Sequence, residues 1–168
     1  MVSLRTSALV LLAACKHPSP LDTTRITIDG EWDEPQWNRD AKRGQFTDGD
    51  ALARPYSEVR LLTDATFVYV GLYAADEDIR SDDRFSVNVG PLDLWFDATG
   101  KASDPRVRAA VDRDGTLDRS DDDDEEWVIE ASIPRAALPP PPWHVRAARC
   151  DVTHAGHRHC GAWQGTLP

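Results

Sequence analysis

TFVYVGLYAADEDIR, residues 66–80, is the stretch whose reading decides the fold. In it Phe67, Tyr69 and Tyr73 alternate with Val68, Val70 and Leu72. A period of two is the period of a β-strand. Because both alternating sets are apolar, the strand must be covered on both sides, as a central strand of a sandwich is. Gly71 breaks the pattern at mid-strand, where the missing side chain lets a neighbour approach closely.

Working outward, residues 57–62 (SEVRLL) read as the antiparallel partner, joined through a turn at Thr63, Asp64 and Ala65. Residues 76–83 are an acidic turn. Strands at 85–89 and 92–97 surround Gly90-Pro91, and strands at 107–112 and 127–133 flank a second acidic run. Pro134 starts one helical turn, and Pro139 to Pro142 form a stiff connector. A last hairpin takes residues 143–150 and 160–164. Upstream, 25–28 is a short strand candidate and 32–37 a turn or single helical turn, with Pro35 near its start. Short strands, frequent turns and no long helical period predict an all-β protein: an antiparallel β-sandwich of jelly-roll type with very little helix.

The N-terminus reads as an export signal rather than as structure. Arg5 precedes a short apolar run that ends in Leu12-Ala13-Ala14-Cys15, and this resembles a bacterial lipoprotein cleavage box. The run is too short to span a bilayer. The expected organisation is a lipoprotein signal peptide over 1–14, a lipid-anchored tether over 15–24 with the lipid on Cys15, and a folded domain over 25–168. Lys16 after the cysteine points to the outer membrane, facing the periplasm or the cell surface. The membrane partner is then reached through the lipid at Cys15.

Lys and Arg number 19 against 29 Asp and Glu, a formal charge of −10. That balance argues against nucleic acid, whose binding proteins carry basic patches. With Cys15 lipidated, Cys150 and Cys160 remain as a pair. In an oxidising exported compartment a disulfide is the expected state.

Four segments in fixed order carry a family resemblance: ITIDGEWDEPQW (26–37), TFVYVGLYAADEDIR (66–80), VRAAVDRDGTLD (107–118) and EEWVIEASIPRAAL (125–138). Together they resemble the family 9 carbohydrate-binding module, a β-sandwich attached or related to sugar-degrading enzymes. The resemblance implies saccharide binding without catalysis and a role in carbohydrate catabolism beside glycoside hydrolases. It matches Asp29, Gly30 and Trp37 to the unit that opens the domain, and it places Trp37 and Trp127 in the core. Residues 83–90, DRFSVNVG, lack the Trp and Glu that many relatives carry there. The alternative is therefore a structural lipoprotein, or one with an envelope protein partner, that keeps the sandwich without a sugar site.

Trp indoles stack on the C–H face of a pyranose, while amides, carboxylates and guanidinia bond its hydroxyl rim. Of six Trp, Trp163 and then Trp95 are the expected stacking residues, with Arg84, Asn88 and Gln164 as polar partners. Trp32 lies in an exposed-looking turn. Asp112, Asp114 and Asp118 around Gly115 are candidate ligands for structural Ca2+, which the resemblance also implies; the plain reading of these acids is a solvated loop. They miss EF-hand spacing, since Leu117 stands where the glycine belongs. The acids between Asp76 and Asp83 form a second cluster of the same kind. His154, His157 and His159 match no standard zinc spacing. No phosphate loop or nucleophile motif is present, so neither an organic cofactor nor independent catalysis is expected. A haem-binding reading meets one obstacle: the single Met is Met1, which rules out Met/His ligation after export and leaves only bis-His ligation.

Overall fold

The computed structural model describes residues 26–152 and 156–168. The proposed signal, the tether with Cys15, and His154 lie outside these residues.

Strand β5 (Phe67–Ala75) sits between β4 (Ser57–Thr63) and β9 (Glu126–Pro134). With β1 (Lys42–Gln45) and β8 (Arg108–Asp114) at the edges, they form a five-stranded antiparallel sheet in the order β1-β4-β5-β9-β8. The expected turn at 63–65 is present. The Asp64 carboxylate holds it by accepting the backbone N–H groups of Thr66 and Phe67, at 2.6 and 2.7 Å. The second sheet has six strands, β3-β2-β11-β10-β6-β7. They are β2 (Thr47–Asp48), β3 (Ala51–Leu52), β6 (Arg84–Val89), β7 (Leu92–Asp97), β10 (Trp143–Val152) and β11 (Arg158–Leu167). Among the described residues, helix is confined to α1 (Pro35–Arg39) and one 3₁₀ turn, Arg135–Ala137. The expected all-β sandwich is what the chain forms.

Alternation explains the layers. Val68, Val70 and Leu72 of β5 meet Val59, Leu61, Ile129, Ala131 and Ile133 on the inner face of their sheet. From the other sheet come Phe85, Val87, Val89, Leu94, Phe96, Trp143, Val145 and Ala147. Trp127 is fully buried between the sheets, as expected. Its ring centroid lies 5.0 Å from that of Phe85.

The outward residues of β5 have their own cover. Ile26, Trp37 and Tyr69 form a second apolar cluster, joined by Ile28, Trp32, Leu62 and Phe67. Residues 26–28 make no strand, contrary to expectation. Their two isoleucines plug the outer face of the five-stranded sheet and join no ladder. Trp32 is half-buried, not exposed: its indole lies across Gly71, where a Cβ would stand 2.7 Å from Trp32 Nε1. The close approach predicted at Gly71 is made by this tryptophan.

A buried carboxylate locks this cover in place. Glu130 is fully buried on β9. One oxygen accepts the backbone N–H groups of Asp29 and Gly30, both at 3.1 Å; the other accepts Trp37 Nε1–H at 2.6 Å. Burial still pushes its pKa up to about 8, against the pull of these donors. Gly30 is required at the contact. Its φ is +105°, and a Cβ would meet the β8 backbone at 2.6 Å.

Candidate functional site

The outer face of the six-stranded sheet is open and polar, because the alternation that sends Val145 and Ala147 inward sends His144 and Arg146 outward. Cross-strand register sets the geometry. Asp93 pairs with Asn88, Asn88 with Arg146, and Arg146 with Gln164, so four polar residues line up across four adjacent strands. At about 4.8 Å per strand the row is roughly 14 Å long. A groove of about 600 Å³ runs beside it, lined by Asn88, His144, Arg146, Gln164 and Thr166. Asn88 donates to Asp93 at 3.0 Å, which orients its amide.

Of the residues expected at a ligand site, Asn88 and Gln164 line this groove, and Arg84 and Trp95 stand farther along the same face on β6 and β7. The Arg84 guanidinium lies 4.5 Å over the Trp95 ring and Lys101 Nζ approaches it at 5.7 Å, so two cations cover that indole. Trp163 is not on this face. It pairs with buried Ala147 and packs against the core. Its indole rests on Gly44 and Gly165, where Cβ atoms would fall 1.9 and 2.5 Å away. His144 and Arg146 are additions to the expected set. Their signal was in the sequence, in the alternation of WHVRAARC over residues 143–150.

Cys150 and Cys160 are bonded to each other and occupy opposed positions on β10 and β11. As a disulfide they offer no thiolate to a metal, which leaves the nearby histidines without sulfur partners.

The acidic clusters serve as fasteners. Asp124, from the middle of the acidic run, is buried. It accepts Ile79 N–H and Thr116 N–H, each at 2.7 Å. Asp118 accepts Ser81 N–H at 2.8 Å. These bonds tie the loop at 76–83 to the loop at 115–125. Asp112 and Asp114 lie exposed on β8, and Asp118, in the loop that follows, accepts the Ser81 N–H.

Among the described residues one trio brings carboxylate oxygens within 4.8 Å of one another: Asp76, Asp83 and Asp151. The Arg149 guanidinium already sits there, bonding Asp76 at 2.6 Å and Asp151 at 2.8 Å. A divalent cation does not fit beside that charge without displacing Arg149. Burial raises the pKa of Asp151, and pushes that of Asp83 up to about 7.

No protein-family model matches the sequence, and no curated protein matches it. Among solved structures, the chain is similar to a family 9 carbohydrate-binding module from Caldicellulosiruptor kristjanssonii in complex with cellotriose. Identity is 14% with a TM-score of 0.58, over 82% of this chain and 79% of that one. Two packed antiparallel sheets and this overlap agree: the chain has the β-sandwich fold of a family 9 carbohydrate-binding module.

Proposed function

We propose that this chain is a non-catalytic saccharide-binding domain whose ligand lies along the outer face of the six-stranded sheet. The observation that carries the reading is the register-aligned row Asn88–Arg146–Gln164 beside an open groove. Amides and a guanidinium at strand spacing offer donors and acceptors to successive hydroxyls. The similar solved structure held cellotriose, and the roughly 14 Å row suits an oligosaccharide of that length. Arg84 is an adjustable cover: a sugar ring that displaces it gains the face of Trp95. Trp163 supports the sheet from within.

The lipid anchor at Cys15, the tether and an outer-membrane location complete the proposal. They place the domain in the envelope, where a saccharide binder works beside glycoside hydrolases.

The test is a glycan array on the folded protein, repeated with chelator, followed by calorimetry on Asn88→Ala and Gln164→Ala. Specific binding that each substitution weakens supports the reading; binding indifferent to both overturns the site. A second reading has its own observation. Trp163 is turned inward and Trp95 is capped by Arg84, so this face has no bare aromatic platform among the described residues. An envelope protein partner suits such a polar face. Folded protein that is silent on glycans but retains a stoichiometric partner would favour that reading.

A further inference from the structure

The opposite face of the sandwich holds a second concavity. Where the N-terminal cover ends, a groove of about 480 Å³ opens on the outer face of the five-stranded sheet. Trp32, Tyr56 and Tyr73 form its walls. No two of these rings are stacked. Trp32 and Tyr73 are tilted at 46° with centroids 6.3 Å apart, and Tyr56 meets Tyr73 at 62° and 5.8 Å.

The polar groups in this groove are unbalanced. Tyr56 donates its phenol proton to Glu58 at 2.7 Å, and Tyr73 donates to Glu126. Both donors are therefore spent on carboxylates, and burial with these contacts raises both phenol pKa values. Glu31 and Asp112 add two further carboxylates at the rim. Among the described residues, Arg60 is the one cation in the lining. Its Nε–H bonds Glu58 at 2.6 Å and another N–H bonds Asn38 at 3.0 Å. The Trp32 indole nitrogen is buried over Gly71 with no hydrogen-bond partner among the described residues. Acceptors thus outnumber free donors, and the net charge of the lining is negative.

Arg60 also shows what the groove accommodates. Its guanidinium lies 4.2 Å over the Trp32 ring while bonding a carboxylate. We propose that the Tyr56–Tyr73 half of this groove, with Glu126 and Asp112, is a second ligand site, and that it takes an organic ammonium: a protonated amine on an apolar body. The ammonium N–H groups supply the missing donors to the carboxylates, and the body packs on the phenol rings. The site lies on the other sheet from the saccharide groove, so it stands or falls separately from that reading.

The test is calorimetry of the full chain with cyclohexylammonium, and with cyclohexanol as its neutral counterpart of the same shape. One equivalent of the amine binds and the alcohol binds at least about tenfold more weakly. Added salt weakens the amine. Glu126→Gln, which keeps side-chain shape, lowers amine affinity severalfold, and Tyr56→Ala lowers it as well. Asn88→Ala on the far sheet leaves it unchanged. Folding of each variant is checked by its thermal transition. Absence of amine binding by folded protein overturns the proposal. So does equal binding of the alcohol, or loss of binding in Asn88→Ala but not in Glu126→Gln.

Discussion

The two outer faces of this sandwich are built on the same strand spacing and have opposite characters. On the six-stranded sheet, outward side chains are polar and stand open as a row of amides and a guanidinium. On the five-stranded sheet, an aromatic and apolar cluster occupies part of the outer face, and a segment from residue 26 to α1 is fastened over it. A bare face spends little stability on itself and is free to bind. A covered face contributes to folding, and leaves a ligand only the gap where the cover stops. Substitutions on the two faces should therefore separate stability from binding.

The largest effect is expected at Glu130. Glu130→Ala strands two buried donors, from Gly30 and Trp37, and a part-buried one from Asp29. Each unsatisfied buried group costs about 1–3 kcal/mol, so a loss of roughly 3 kcal/mol or more should appear in denaturant unfolding. A loss below about 1 kcal/mol would mean that the cover is not fastened there, and the contrast between faces would fail.

Next in size is the seat of Trp163. Gly44→Ala places a Cβ on the indole, and Trp163→Ala removes the indole. Each should cost on the order of 2 kcal/mol. Because the two changes act at one contact, the double variant should be clearly less destabilised than the sum. Additive losses would show that the indole is not seated on Gly44. Saccharide binding that collapses in Trp163→Ala at unchanged stability would return this residue to the ligand site.

A smaller effect concerns pH. Glu130 and Asp83 titrate near 8 and near 7 when folded, because burial disfavours their charge. In an unfolded chain both titrate near 4. Between roughly pH 4 and 8 the folded state thus holds more protons. The stability these groups add is full below about pH 4 and is lost as pH rises through 7 and 8. Asp104, held down to about 2 by Arg106, has the opposite sign, and its contribution is lost only in strong acid. The thermal midpoint should fall from pH 5 to pH 8.5. Glu130→Gln removes the titrating group, at the cost of turning its amide NH2 toward one of the donors from Asp29, Gly30 and Trp37, and should flatten that slope; an unchanged slope would assign the titration elsewhere.

How much of this was legible in the sequence depends on the range of the interaction. The alternation from Phe67 to Leu72 named the central strand, and Gly71 announced a close neighbour, because both signals are local. The neighbour itself, Trp32, is far away in the chain, and its turn looked exposed. Strands β1, β2 and β3 escaped notice because they are short and outward-facing, with almost no buried side chain to set a period. Ile26 and Ile28 suggested a strand because alternation cannot tell a ladder from a plug. Asn88 and Gln164 were legible as polar residues, whereas the orientation of Trp163 was not: composition cannot show that its strand turns this indole inward. Asp124 and Glu130 looked like any other surface acids. Their partners, backbone N–H groups in distant segments, leave no trace in composition.

The smallest expected stability change belongs to the open face, and it is the sharpest probe of the contrast. Gln164 is exposed at the end of the polar row, beside Arg146. Its removal uncovers no buried group, so Gln164→Ala should shift unfolding by no more than about 0.5 kcal/mol. If a saccharide lies along the row, the same change removes hydrogen bonds to its rim and should weaken binding about tenfold, equivalent to roughly 1.4 kcal/mol. The ratio of the two effects is the quantity to measure, by calorimetric titration and thermal melting of one preparation. A large ratio is the signature of a side chain maintained for a ligand. Equal small effects on both would make this face an ordinary solvated surface, and would leave the aromatic groove on the far sheet as the better ligand site.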